Sequence, residues 1–186
     1  MRVICIANTG ESLPEAYKEQ GYFAEYKFPL LIGKRYIPYG MTLRKGKVNY
    51  LIQGESRRDP DWMPSELFEV FESKISRCWH YGVNDDKSEA TIDNVWGYQE
   101  LIDASNHFDQ LVDGGTDALE VFLRYKEYMD LEFPDFAISD FAEVINDSDW
   151  LFCPKCLDAW ESRSKYGMVR CAVCQRILRN PRYVEV

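Results

Sequence analysis

Two Cys-x-x-Cys pairs, Cys153-Pro-Lys-Cys156 and Cys171-Ala-Val-Cys174, stand fourteen residues apart near the C-terminus. No other feature restricts the fold of this chain as much. Each pair can turn back on itself so that both sulfurs meet one ion, and four thiolates at about 2.3 Å around zinc form a closed tetrahedron. Six cysteines could instead make three disulfides. The tight pairing of four of them favours ligation, with zinc expected ahead of a rubredoxin-like iron and ahead of disulfides. Four sulfurs leave no open coordination position, so the expected role of the metal is structural. Cys5 and Cys78 lie among apolar and aromatic residues and read as buried thiols.

Charge divides the 186 residues into three expected pieces. Residues 1–82 carry 12 Lys/Arg and 10 Asp/Glu, residues 83–149 carry 3 and 18, and residues 150–186 carry 7 and 3, within a net charge of -9. A strongly acidic middle repels nucleic acid and attracts basic proteins. The sequence has no apolar run long enough to span a bilayer, and its N-terminus lacks the apolar stretch of a signal peptide, so a cytoplasmic protein is expected.

The expected fold class is α+β: a small β-barrel over residues 1–82, an acidic helical segment over 83–149 and a four-cysteine unit over 150–186. In the first piece, "RVICIAN" suits a buried strand with both faces apolar, and "KRYIPYGMTL" and "KVNYLIQ" flank a hairpin turn at Gly46. Pro38 restricts its strand to an edge or a bulge. "LFEVFESKISRCWHYG" fits a helical stripe or two strands turning near Ser73 and Lys74, and strands are preferred. In the second piece, Leu101, Ser105, Phe108 and Val112 trace a helical face, and Thr116 suits the N-cap of a helix carrying Leu119, Phe122 and Leu123. Ser139 should open a third helix. On it Asp140, Glu143 and Asp147 would form one acidic solvent-facing stripe, with Phe141, Val144 and Ile145 beside it facing a core. In the last piece a strand-turn-strand excursion is expected around Gly167.

The succession "NTGESLP", "FPLLIGKRYIPYGM", "VNYLI" and "WMPSELFEV", followed by a Trp, resembles a small SH3-like domain of uncharacterised bacterial proteins, some of them toxin-immunity proteins. The four-cysteine segment resembles a zinc ribbon. The first resemblance implies an inhibitor that occupies a basic toxin, and it brings no catalytic residue. Catalysis is not expected on the residues either. Only His80 and His107 are present, His80 reads as a barrel-edge residue and His107 as solvated, and no nucleotide-binding, zinc-protease or serine-hydrolase motif occurs.

Three readings of the acidic segment stand open: a solvated face, a seat for the basic ribbon, or a surface for a basic protein partner, to which Asp140, Glu143 and Asp147 would belong. The alternative function is a nucleic-acid-associated accessory protein of transcription or translation. It would use Arg163, Lys165, Arg170, Arg176, Arg179 and Arg182 with Tyr166 and Tyr183, against the repulsion of the acidic segment.

Overall fold

The computed structural model describes residues 1–55, 59–83, 94–103, 105–134, 137–146 and 148–184. The strands of the first half are β1 (Arg2–Cys5), β2 (Arg35–Tyr36), β3 (Gly40–Arg44), β4 (Lys47–Ile52), β5 (Asp61–Pro64), β6 (Phe68–Glu72), β7 (His80–Val83) and β8 (Asn94–Gly97). Helices α1 (Gln99–Asp103), α2 (Ser105–Val112) and α3 (Thr116–Glu132) follow. Five short strands complete the chain: β9 (Glu143–Val144), β10 (Trp150–Phe152), β11 (Ala159–Glu161), β12 (Met168–Arg170) and β13 (Ile177–Arg179). The chain divides into two compact units, Met1–Lys126 and Glu127–Val186, with the division inside α3.

The strands of the N-terminal unit lie in two open antiparallel sheets, ordered β2-β1-β6 and β5-β4-β3-β8-β7. No closed barrel is present among the described residues, so the expected barrel is corrected to this pair of sheets. Pro38 lies where the chain passes from one sheet to the other: β2 ends at Tyr36 beside β1, and β3 begins at Gly40 beside β4. A proline cannot donate to a ladder, so pairing is interrupted there. The larger sheet draws on both sides of residue 82, because β8 pairs with β3 as well as with β7.

Other expectations over this half hold in kind and differ in detail. The β3–β4 hairpin closes on Lys45 and Gly46, both at positive φ, as a two-residue turn matched to strand twist requires. Val3 and Cys5 of β1 are buried, whereas Ile6 is about half exposed, so one face of this segment meets the core. The Cys5 thiol donates to the Ala7 carbonyl at 3.2 Å. "FEVFE" and "HYGV" are strands, but they form no hairpin: β6 pairs with β1, and β7 pairs with β8. The main core of this unit gathers Val3, Cys5, Tyr17, Phe28, Ile52, Met63 and Leu67.

The helices cover the larger sheet. Gly40 and Gly97 are directly opposed in register, and a Cβ on either would come within 2.8 Å of the Leu101 side chain of α1. Two side-chain-free positions therefore make the recess that Leu101 fills. Trp62 of β5 stacks on Phe108 of α2 at 5.0 Å, and Tyr39 meets Phe122 of α3 edge-on at 5.2 Å. Among the described side chains of α2, His107 and Leu111 are buried while Val112 is exposed, so the packed face is rotated from the expected one. Among the described residues no helix is long and apolar enough to cross a membrane.

Candidate metal centre

Each Cys-x-x-Cys pair forms the bend of its own hairpin. In β10–β11, Phe152 pairs with Ala159 around residues 153–158; in β12–β13, Arg170 pairs with Ile177 around residues 171–176. The backbone bonds repeat position for position. The Leu157 amide donates to the Cys153 carbonyl at 2.9 Å, as Gln175 does to Cys171 at 3.1 Å; the Cys153 amide donates to Asp158, and that of Cys171 to Arg176, each at 2.9 Å. Leu157 and Gln175 both adopt left-handed backbone, at φ 65° and 60°. The strands expected around Gly167 instead flank the cysteines, because each knuckle is itself a tight reversal that brings its own flanking residues into pairing.

The two knuckles bring all four sulfurs within 4.8 Å of one another, a group able to hold a metal ion. The Sγ separations are 3.8 Å for Cys153 and Cys174 and 3.6 Å for Cys156 and Cys171. Cys153 and Cys171 are fully buried, Cys156 is half-buried and Cys174 is exposed, so the site has a closed floor and an outer lip. Its floor is a small core of Ala142, Leu151, Val169 and Leu178, with Trp160 packed against it.

Without a metal the sulfurs compete for protons. Burial opposes ionisation of Cys153, but the backbone amides of Cys156 and Lys155 and the Cys156 and Cys174 thiols outweigh it and bring its thiol down to about 7. For Cys156 the Asp158 amide favours the thiolate, yet burial and the sulfurs of Cys171, Cys174 and Cys153 prevail and push it up to about 12. Such crowding suits a cation, which replaces shared protons with a central charge.

Polar side chains fasten the segments around the centre. The buried Asn180 donates from Nδ2 to the carbonyls of Ser164 at 3.0 Å and Tyr166 at 2.8 Å, and its Oδ1 accepts from the Arg182 amide at 3.0 Å. The Arg182 guanidinium donates to the carbonyls of Ser162, Ser148 and Trp150. Gly167 runs so close to the chain at Phe133 and Pro134 that a Cβ would lie 2.2 Å from the Pro134 nitrogen.

The third helix, expected from Ser139, is corrected. Glu143 and Val144 form β9, paired with Phe152 and Leu151 of β10, while the Ala142 amide donates to Arg179 and the Arg179 amide to Asp140. Pairing with the cysteine-bearing strand supplies hydrogen bonds that override a helical pattern of marginal length. Ala142 is the inward residue, and Phe141 and Val144 are exposed. The acidic stripe accordingly has no common helical face. Asp140 pairs with Lys155 of the first knuckle at 3.1 Å, Glu143 is exposed on β9, and Asp147 lies outside the described residues.

Of the cations considered for nucleic acid, Arg163 pairs with Asp149 at 2.7 Å and with Glu161, Arg170 pairs with Glu127, and Arg179 lies 4.4 Å over the Phe141 ring. With Arg182 bound to carbonyls, four of the six are committed within the C-terminal unit. His80 is exposed on the edge strand β7. His107, expected in solvent, is 6% exposed and its Nε2 lies 2.8 Å from the Tyr98 hydroxyl. Burial lowers its pKa, against an opposing pull from Glu100. Tyr98 also stacks on Tyr125 at 4.6 Å. A histidine on a polar-looking face gave no sequence signal for this aromatic seat, which long-range contacts create.

No protein-family model, curated protein or solved structure matches the chain. Fold and site together define an α+β protein with a four-cysteine centre able to hold one metal ion in its C-terminal unit.

Proposed function

We propose that this chain is a non-catalytic binding protein whose Cys153, Cys156, Cys171 and Cys174 hold one structural zinc ion, and that it acts as an immunity-type inhibitor of a basic toxin domain. The sulfur separations of 3.8 and 3.6 Å carry the metal part of this reading. A tetrahedron with metal–sulfur bonds of about 2.3 Å has edges of about 3.8 Å. An all-thiolate set suits zinc and disfavours ions that prefer oxygen. Four protein ligands leave no position for a reactive water, which supports a structural ion.

The binding part rests on charge and on the SH3-like, immunity-type resemblance of the N-terminal sequence. With Asp140 paired to a knuckle lysine and Glu143 exposed on β9, the denser acidity for a basic partner lies on the helices. Asp109 and Asp113, on α2 and just beyond it, and Asp117 and Glu120 of α3 are all exposed. The nucleic-acid reading draws less support, since most of the cations it needs are engaged in ion pairs, a ring contact or carbonyl bonds.

The test takes a basic toxin domain that co-purifies with this chain from its native host. Its activity should be lost when it is mixed with an equimolar amount of this chain. Replacing Asp109, Asp113 and Asp117 by Asn and Glu120 by Gln should slow association by about tenfold at low salt and flatten its salt dependence, because exposed charges act mainly on encounter. Undiminished toxin activity contradicts the inhibitor reading, and association rates unchanged at both low and moderate salt remove these helices from the interface.

A further inference from the structure

The four sulfurs of the metal centre are unequally covered, and the strands that carry them decide which is which. Side chains alternate along a strand, so the residue two places beyond an inward one also points inward. Leu151 and Val169 are inward residues of β10 and β12, and Cys153 and Cys171 follow them by two places. The first cysteine of each pair is therefore carried into the floor, where each is 0% exposed. The second falls on the far limb of its knuckle.

On that limb the two hairpins differ. Pro154 and Cys156 of the first are half-buried, whereas Ala172, Val173, Cys174, Gln175 and Arg176 of the second are all exposed. Cys174 is thus the sulfur that solvent reaches, and Cys153 Sγ lies 3.8 Å from it on the buried side. Oxidation of cysteine follows thiolate character, exposure and the nearness of a second sulfur that can resolve the product. A thiol that coordinates zinc is deprotonated outright, which supplies the first of these. Cys5 is the contrary case: it is buried, and its thiol donates to the Ala7 carbonyl at 3.2 Å.

On the zinc reading above, on which this inference rests, we propose that Cys174 is a site of reversible oxidation by hydroperoxides, with Cys153 as the resolving sulfur, and that this oxidation opens the metal centre. The Cys174 thiolate attacks the peroxide: an S–O bond forms, the O–O bond breaks, and the departing oxygen takes up a proton and leaves as water or alcohol. The Cys153 thiolate then attacks Cys174 Sγ, forming the S–S bond and expelling hydroxide, which a proton converts to water. Two thiolates give up two electrons and the peroxide accepts them. Cys156 and Cys171 are left as two ligands where a structural site needs four. A dithiol returns the electron pair by thiol–disulfide exchange and restores the set.

The test starts from the zinc-loaded full chain, its metal content fixed by elemental analysis, and adds hydrogen peroxide in substoichiometric steps while a chromogenic chelator reads released zinc against an untreated control. Release should rise by about one zinc per peroxide consumed. Differential alkylation with mass spectrometry should find Cys174 joined to Cys153, and Cys5 still reduced. Dithiothreitol with added zinc should return the metal. Cys174→His keeps four ligands and removes the exposed thiolate, and its zinc should be released about tenfold more slowly. Zinc retained by the loaded chain under a large excess of peroxide, disulfides that leave Cys174 reduced, or equally fast release from the Cys174→His variant would overturn this proposal alone. A chain purified without zinc would overturn it together with the zinc reading.

Discussion

Leu157 and Gln175 occupy left-handed backbone positions that glycine usually fills at a tight reversal, and both are exposed. An L-residue with a Cβ pays about 1–2 kcal/mol there, part of which glycine returns through the greater freedom of its unfolded chain. Leu157→Gly should therefore stabilise the C-terminal unit by up to about 1 kcal/mol, whereas Leu157→Val should destabilise it; denaturant titration of the metal-loaded protein measures both. The cysteines were legible in the sequence because chelation depends on local spacing. His107 was not, because its burial depends on Tyr98, brought to it by the sheet. Its folded pKa lies below the unfolded value, so the unfolded chain takes up the proton more readily. As pH falls through the ordinary histidine value of about 6.5, the unfolded chain takes up the proton first and the ring costs the N-terminal unit stability; well above that value it contributes nothing. His107→Gln should flatten that part of a melting-temperature profile, and an unchanged profile would show that the ring titrates alike in both states.

At the scale of elements, the β3–β4 hairpin was legible through its glycine turn and α3 through its apolar spacing, although Thr116 is its first residue rather than the cap before it; α2 was legible as a helix, with its packed face misread. The segment from Asp140 to Ile145 was not, since its carboxylates and apolar residues also suit a short helix. What decides it is an unpaired strand edge: β10 offers Leu151 and Phe152 to Val144 and Glu143. Two sheets were likewise hidden behind one apparent barrel, because strand pairing across Pro38 is a long-range property. The C-terminal unit is fastened by the bonds of Asn180 to Ser164 and Tyr166. Asn180→Ala leaves two part-buried carbonyls short of a donor and should cost about 1–2 kcal/mol in the stability of that unit. The Tyr98–His107 resonances of the N-terminal unit should stay in place, and their displacement would mean that the two units do not melt separately.

At the scale of the whole molecule, two compact units carry different grounds for stability. The N-terminal unit has an aromatic-rich core of its own, whereas the metal centre is floored by a handful of apolar residues. Below about 70–80 residues a single core rarely suffices, and a structural metal can supply folding free energy on the order of 10 kcal/mol. Removal of the proposed zinc should consequently unfold the C-terminal unit and spare the other. Acidification should do the same, since protons compete for the thiolates and metal affinity falls with pH. The most direct test is native mass spectrometry with elemental analysis on protein purified under reducing conditions, repeated after chelation and on Cys153→Ser and Cys171→Ser. One zinc per chain is expected, lost in both variants and on chelation, with amide resonances of residues 148–184 collapsing while those of the N-terminal unit persist. A chain that carries no zinc, or keeps its C-terminal resonances unchanged after the metal is gone, would contradict a structural zinc centre.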